Sequence, residues 1–341
     1  MKKISVDGGA LSNNSKNHFG NFTVTQELLR ALPLTDQKNK YTVFIQEKKG
    51  TDQACLIPTV IDYKVLTPRI GWMKVRISLE EIMHPSDVFL GLNQSLPLYT
   101  KGRKIALCHG LSFLKYPDLY PDSHNRMKSE IVQLNRRADH IIVSSTRIKQ
   151  EWKELVGDSK KIVVIPFGIP HEFLQLKPSK TRKPFLLFVG MNHQIKNLAF
   201  IIKAISELRK VDGYQKFKLT LVGVPHLSDK PKYVQCIPHA SHKELLALYR
   251  STSCLVSASL YESFNLPVLE ALSQNTPVVA TDGAVIPELK KYVTLAKDNT
   301  TDFAKTIAEV IKKSLTINQD QLRKEFNWER YAISLSSLLN K

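Results

Sequence analysis

The chain has 341 residues, 43% apolar and 23% charged, with a formal net charge of +18, a globular composition long enough for two ordinary domains. No run approaches the roughly 20 apolar residues that span a bilayer, and MKKISVDGGA has no long apolar stretch behind its lysines, so a signal peptide is not read and a cytoplasmic location is expected. The positive excess is shared by both halves of the sequence, which suits an anionic substrate, an anionic membrane surface or nucleic acid without choosing among them.

In chain order, Lys3–Val6 reads as a strand and Gly8–Gly20 as a loop rich in Gly, Asn and Ser. From Asn21, FTVTQELLRAL has helical spacing, with Phe22, Leu28, Leu29 and Leu32 on one face and Pro33 as its end. YTVFI is a strand and WMKVRISLEEIM (Trp72–Met83) an amphipathic helix. DVFLGL and KIALCHG are strands, HNRMKSEIVQLNRRA a helix, and HIIVSS and KIVVIPFGI strands. The second half repeats this grammar. FLLFVG and KLTLVG are strands that stop in glycine, with NLAFIIKAISELRKV a helix between them. HKELLALYRS is a helix capped by Ser241 with Glu244 three residues on. CLVSAS, LPVLEALSQ, PVVATD, DFAKTIAEVIKKSL and WERYAISLSSLLNK continue as strand, helix, strand, helix and helix.

Strands alternating with helices imply parallel sheets with right-handed crossovers. The proline-rich, aperiodic PFGIPHEFLQLKPSK divides them into two Rossmann-like α/β domains, residues 1–172 and 173–325, facing each other across a cleft. Ligands of such sheets bind beyond the carboxyl ends of the strands. The loops to watch are Gly8–Gly20, Cys108–Leu111, Gly190–Asn197, Gly223–His226 and Ser257–Pro267. The four cysteines, Cys55, Cys108, Cys236 and Cys254, have no paired spacing and are expected to be reduced.

YESFNLPVLEAL (Tyr261–Leu272) carries the most chemistry. Pro267 suits a first helical position. The N–H groups of Leu266, Val268 and Leu269 would then form an anion site, reinforced by the helix dipole. A diphosphate there would repel Glu262 and Glu270, so these acids are expected to accept hydrogen bonds from hydroxyls on either side of it. Singly, Glu270 reads as a dipole-favoured acid and Glu262 as a solvated loop acid; as a pair they fit ribose, diphosphate and hexose.

ASLYESFNLPVLEALSQNTPVVATD resembles the E-x7-E segment of the retaining glycosyltransferases of family 4, which have the GT-B fold. By that resemblance Glu262 contacts the donor hexose and Glu270 the ribose, while amides near Phe264, Asn265, Leu266 and Val268 hold the diphosphate. FVGMNHQIKNLAFIIKAI resembles the run V-G-x-x-x-P-R-K-N-L, with Lys196 in the place of the phosphate-binding lysine and Gly190 and Asn197 beside the donor. IALCHGLSFLKYPDLYP resembles V-T-I-H-D-L-S-F-x-x-x-P-E-x-x-P, which implies that His109 faces the sugar. GNFTVTQELLRAL resembles G-I-G-R-Y-x-x-E-L-L-x-A-L and places Gly20 where the backbone approaches donor or acceptor. RADHIIVSS and KIVVIPFGI also match, and residues 326–341 resemble a closing helix that returns to the first domain. The chain departs from the pattern at Gly110, Ile195, Ser263, Asn265 and Phe167, and at Thr23 or Val24 where the pattern has arginine. Asn265 can take the left-handed conformation of the glycine it replaces, whereas Ser263 would be strained at positive φ.

The resemblance implies a retaining hexosyltransferase that moves a sugar from a nucleotide-diphosphate donor, of GDP-mannose or UDP-sugar type, to a glycan or lipid-linked acceptor in cell-surface polysaccharide or glycoconjugate biosynthesis. Glu262, His109 and Lys196 would carry the transfer. The second domain would bind the donor and the first the acceptor. No D-x-D pair is present, so neither metal nor cofactor is expected, the nucleotide sugar being a substrate. The alternative is a catalytically degenerate GT-B protein that binds a sugar nucleotide or glycan. A nucleic-acid role is not expected, because no helix-turn-helix, RNA-recognition or zinc signature is present. The Trp72–Met83 helix either rests on an anionic membrane surface, as a peripheral contact, or faces the core; the core-facing reading is preferred.

Overall fold

A computed structural model describes residues 1–12, 20–47, 61–158, 160–175, 182–313 and 316–341. Cys55, most of the Gly8–Gly20 loop and the end of the proline-rich connection lie outside the described residues. The chain forms two compact units, Met1–Gly168 with Phe326–Lys341, and Ile169–Glu325.

The first unit contains β1 (Lys3–Asp7), α1 (Gly20–Thr35), β2 (Lys40–Ile45), β3 (Ile61–Val65), a π-helical turn (Trp72–Arg76) leading into α2 (Ile77–Met83), β4 (Val88–Gly91), β5 (Arg103–Cys108), α3 (Ser112–Lys115), α4 (His124–Arg137), β6 (His140–Val143), α5 (Thr146–Leu155) and β7 (Ile162–Val164). The strands form one parallel sheet in the order β3-β2-β1-β4-β5-β6-β7. The strand order reverses between β1 and β4, and every residue of β4 is buried, as expected of a strand covered on both faces. The C-terminal helix, Trp328–Asn340, belongs to this unit. Its Trp328 stacks on Phe167 at 5.7 Å.

Two expectations are corrected here. Pro33 does not end α1, which continues to Thr35. Proline removes one N–H from the ladder, but Leu32 and Pro33 are buried and the Asp36 N–H donates to Leu32 O at 2.8 Å, which closes the turn. The Trp72–Met83 segment is also not one core-facing amphipathic helix. It begins as a π-helical turn, and α2 buries Ile77 and its two glutamates while Leu79, Ile82 and Met83 face outward.

The second unit contains β8 (Lys183–Val189), a 3₁₀ turn (Gln194–Lys196), α6 (Leu198–Leu208), β9 (Lys218–Val222), β10 (Val234–Ile237), α7 (His242–Ser251), β11 (Thr252–Ser257), α8 (Leu266–Ser273), β12 (Val278–Ala280), β13 (Thr294–Leu295), α9 (Thr300–Lys313) and α10 (Gln319–Glu325). Its parallel sheet runs β10-β9-β8-β11-β12-β13, reversing between β8 and β11. Helix α6 buries Leu198, Ile201, Ile205 and Leu208 in a core shared with Phe303 and Ile307 of α9. Ser241 and Glu244 cap α7 reciprocally, as their spacing predicts. Cys108 and Cys254 are buried free thiols.

Candidate functional site

In an open parallel sheet, a ligand crevice forms where the strand order reverses. In the second unit the two loops that leave this point follow β8 and β11. They hold Gly190–Asn197 and the Glu262 loop. The Leu260 N–H donates to Ile195 O at 2.8 Å and ties one loop to the other. Lys196 Nζ lies 2.6 Å from Glu262 Oε1, and the Ser259 hydroxyl donates to the same oxygen at 2.7 Å. Both members of the ion pair are partly buried, which strengthens their attraction relative to a surface pair.

Local backbone chemistry builds this arrangement. His193 Nδ1 accepts from the Ile195 N–H at 3.1 Å and caps the 3₁₀ turn. Asn197 then takes a left-handed conformation (φ 53°) and turns the chain into α6. Gly223 has φ +85°, and a Cβ there would lie 2.7 Å from Gly190 O, so the two strand-end glycines permit close approach. A Cβ on Gly190 would stand 3.7 Å from the Lys196 side chain, so Gly190 adjoins the lysine.

Asn265, at φ 74° and ψ 68°, starts α8 in the left-handed region. Its Nδ2 donates to Ser257 Oγ at 3.1 Å and Ala284 O at 2.8 Å. Among the described residues, the non-glycine positions with positive φ are Gln94, Asn197, Asp229, Asn265 and Asn275, so Ser263 is free of the strain raised above. Asn265→Ala is expected to destabilise the fold by about 2 kcal/mol, from the left-handed backbone and two lost buried hydrogen bonds. Asn265→Gly, which relieves the backbone cost, should lose less in a urea titration.

One expectation about this helix start is corrected. The Val268 and Leu269 N–H groups both return to Asn265 O, at 3.1 and 3.4 Å. They are the first bonds of the helical ladder rather than open donors, while the Leu266 N–H precedes that ladder. Phe264 is buried, so its side chain packs in the core and its backbone is what remains near the helix start.

Glu270 lies four residues into α8 and is buried. Burial pushes its carboxyl up to about 7; a hydrogen bond from the Tyr249 hydroxyl, 2.8 Å from Oε2, pulls the other way, and the Glu172 carboxylate adds to the rise. Tyr249 is fixed by an edge contact with Phe173, ring centroids 5.8 Å apart. Sequence reasoning missed Tyr249 and Ser259. Ser259 sits three residues before Glu262 in the quoted segment, but nothing in the α7 pattern marks a tyrosine that will meet Glu270.

His109 and Gly20 belong to the first unit. His109 follows β5, where its Nε2 hydrogen-bonds Leu92 O at 2.7 Å and its N–H donates to Gln94 Oε1 at 2.6 Å. Burial lowers its pKa to about 4, against the opposing effect of the hydrogen bond it donates to Leu92 O. The ring is therefore neutral near pH 7, with its proton on Nε2 and Nδ1 left as an acceptor. Gly20 is the exposed first residue of α1. Sequence reasoning passed over Asp7 at the end of β1. It is buried, with its pKa raised by burial, and it accepts from Asn93 Nδ2 (2.9 Å) and the Gly9 N–H (3.0 Å) at this sheet's own reversal point. Among the described residues no cluster of three His, Cys, Asp or Glu side chains could hold a metal ion.

Comparison with known proteins agrees with this architecture. The profile of the family described as "Glycosyl transferases group 1" matches residues 183–313. The chain is 27% identical to the O-antigen chain mannosyltransferase RfbU of Salmonella typhimurium over 51% of this chain and 51% of that protein. It is 22% identical to the O-antigen chain mannosyltransferase B of Escherichia coli over 68% of this chain and 65% of that protein. The matches therefore span less than two thirds of either relative's length. Anabaena HepE, solved in complex with UDP-glucose, superposes with a TM-score of 0.72 at 15% identity, covering 100% of each chain. The fold is the two-domain, Rossmann-like GT-B fold.

Proposed function

We propose, from the premise that residues 183–313 are a domain of the group 1 glycosyl transferases, that the chain transfers a hexose from a nucleotide-diphosphate sugar to a glycan or lipid-linked acceptor, with retention and without a metal. One observation carries this reading. The Lys196–Glu262 pair and the start of α8 stand on the two loops at the sheet's reversal point, joined by the Leu260–Ile195 hydrogen bond.

Lys196 has three N–H donors, of which Glu262 takes one. The others are available to the oxygens of a diphosphate, where the positive charge would meet the charge that develops as the bond to the sugar breaks. Glu262, aimed by Lys196 and Ser259, would accept from hexose hydroxyls. Glu270, held by Tyr249, would accept from the ribose. In the transfer, the bond from the sugar's anomeric carbon to the diphosphate oxygen breaks and a bond to the acceptor oxygen forms on the same face. The acceptor's proton passes to the departing diphosphate. The mannosyltransferase names of the relatives, and a neighbour of the same fold that binds UDP-glucose, support a donor of GDP-mannose or UDP-sugar type in surface glycan synthesis.

The test is turnover of UDP-, GDP-, ADP- and dTDP-sugars against a pool of glycan and lipid-linked acceptors, with the anomeric configuration of the product read by NMR. Retained configuration, unaffected by a chelator, is expected. Inverted configuration, or loss of turnover in the chelator, would contradict the mechanism. Donor binding with no turnover would support the degenerate alternative.

A further inference from the structure

Strand β4 ends at Gly91, opposite Ala106 of β5, and the chain then turns sharply. A Cβ on Gly91 would stand 2.4 Å from Ser95 O, so the turn closes only around a glycine. Gln94 lies in this turn with φ 56°. Among the described residues, the other non-glycine positions in the left-handed region are Asn or Asp, whose short side chains ease that conformation. Gln94 has no such relief, and strain of this kind persists where the surroundings impose it.

The surroundings are the end of β5. In a parallel ladder, one residue donates its N–H to the carbonyl before its neighbour and accepts from the N–H after it. The Gln94 N–H donates to Leu107 O at 3.1 Å, and the His109 N–H donates to Gln94 Oε1 at 2.6 Å. These are the two sides of Cys108, whose thiol reaches the same oxygen at 3.4 Å. The side-chain carbonyl of Gln94 thus stands in for the main-chain carbonyl that the left-handed turn carries away, and the ladder extends to His109. Asp7 holds the turn from its other side, with Oδ2 accepting from Asn93 Nδ2 at 2.9 Å. Between these two anchors, Leu92 O meets His109 Nε2 at 2.7 Å. Main chain and ring of His109 are both bonded to one tripeptide, Leu92–Asn93–Gln94. The ring's Nδ1 meets no donor among the described residues and is not enclosed.

We propose that Gln94 is a positioning residue for His109, holding the imidazole so that Nδ1 accepts from a hydroxyl of the transferred hexose. The ring donates its Nε2–H to Leu92 O, so it serves as a hydrogen-bond acceptor and not as a general acid. The hexose contact rests on the transfer proposed above; the hold of Gln94 on His109 does not. Methionine would match the length of Gln94 without its oxygen, and asparagine would fall one methylene short.

Two variants separate positioning from mere stabilisation. Gln94→Met keeps the side-chain length and loses the oxygen. Gln94→Gly loses the oxygen and relieves the left-handed backbone, so it should melt close to the wild type. The imidazole nitrogen NMR signals of His109, assigned by their loss in His109→Gln, are read near pH 7. The wild type should show one neutral form with its proton on Nε2, and each variant a mixture of the two neutral forms. In transfer, both variants should lower kcat about tenfold or more while changing the donor KM less than about threefold. An unchanged His109 tautomer in the folded variants overturns the proposal, as does wild-type kcat in Gln94→Gly. If the wild type transfers no sugar to any acceptor, the hexose contact falls with the transfer reading, and the NMR result still decides whether Gln94 positions the ring.

Discussion

Replacing Lys196 with alanine is expected to lower kcat/KM for transfer by about 100- to 1,000-fold, the range seen when a preorganised donor to developing charge is removed. Two effects combine. The diphosphate loses its cation, and Glu262, partly buried, loses the charge 2.6 Å from its Oε1. That carboxylate would then face an incoming dianion without the lysine's charge, the Ser259 hydroxyl still donating to it. The double variant Lys196→Ala with Glu262→Gln should therefore bind the free nucleotide diphosphate better than Lys196→Ala alone, although its transfer stays low because the hexose contact is lost. Additive losses across Lys196→Ala, Glu262→Gln and the double variant would show that the residues do not act as a pair. Wild-type transfer by Lys196→Ala would remove both from the site.

Glu270→Gln is expected to make the protein more stable and its donor binding weaker. Burial raises the Glu270 carboxyl from 4.5 to about 7. The folded state then holds a proton more tightly than the unfolded state, and stability falls as pH rises from about 4.5 to about 7, staying low above that window. At roughly 1.4 kcal/mol per pH unit, the ionised side chain costs about 3 kcal/mol at pH 8. Glutamine keeps an oxygen for the Tyr249 hydroxyl without the buried charge. Its denaturation midpoint should exceed wild type at pH 8 and converge with it near pH 4. Donor affinity should fall about tenfold at pH 8, because a neutral acceptor replaces a charged one. Lower stability at pH 8 would show that Glu270 is not strained by burial.

Sequence made the central strands and the edge strand β7 legible and the other edges obscure, for a physical reason. A strand covered on both faces is a continuous apolar run, as in VFLG of β4 and TSCLVS of β11, each buried throughout. The edge strands β3 (IDYKV) and β10 (VQCI) carry partly exposed and polar residues, and neither stood out from its surroundings. Periodicity also says that a helix has two faces without saying which faces in. The acids of α2 are bonded by Ser86 nearby in the chain and by Lys64 and Thr100, which the fold brings near.

The candidate site followed the same rule. Asn265 could be placed in a left-handed start because short-range chemistry fixes it. The local ladder took two of the amides first assigned to phosphate. Tyr249 escaped notice because all of β11 separates it from Glu270 along the chain.

The central claim is that the second unit holds a nucleotide-diphosphate sugar through Lys196 and the start of α8. A thermal-shift titration of the full chain with UDP-, GDP-, ADP- and dTDP-sugars, with chelator present, tests it most directly. At a concentration about 100 times its Kd, a bound donor adds about 2.7 kcal/mol to stability. At least one donor should raise the melting temperature of the wild type, and the shift should vanish in Lys196→Ala at the same concentration. No shift with any of the four, or an equal shift in Lys196→Ala, would contradict the account.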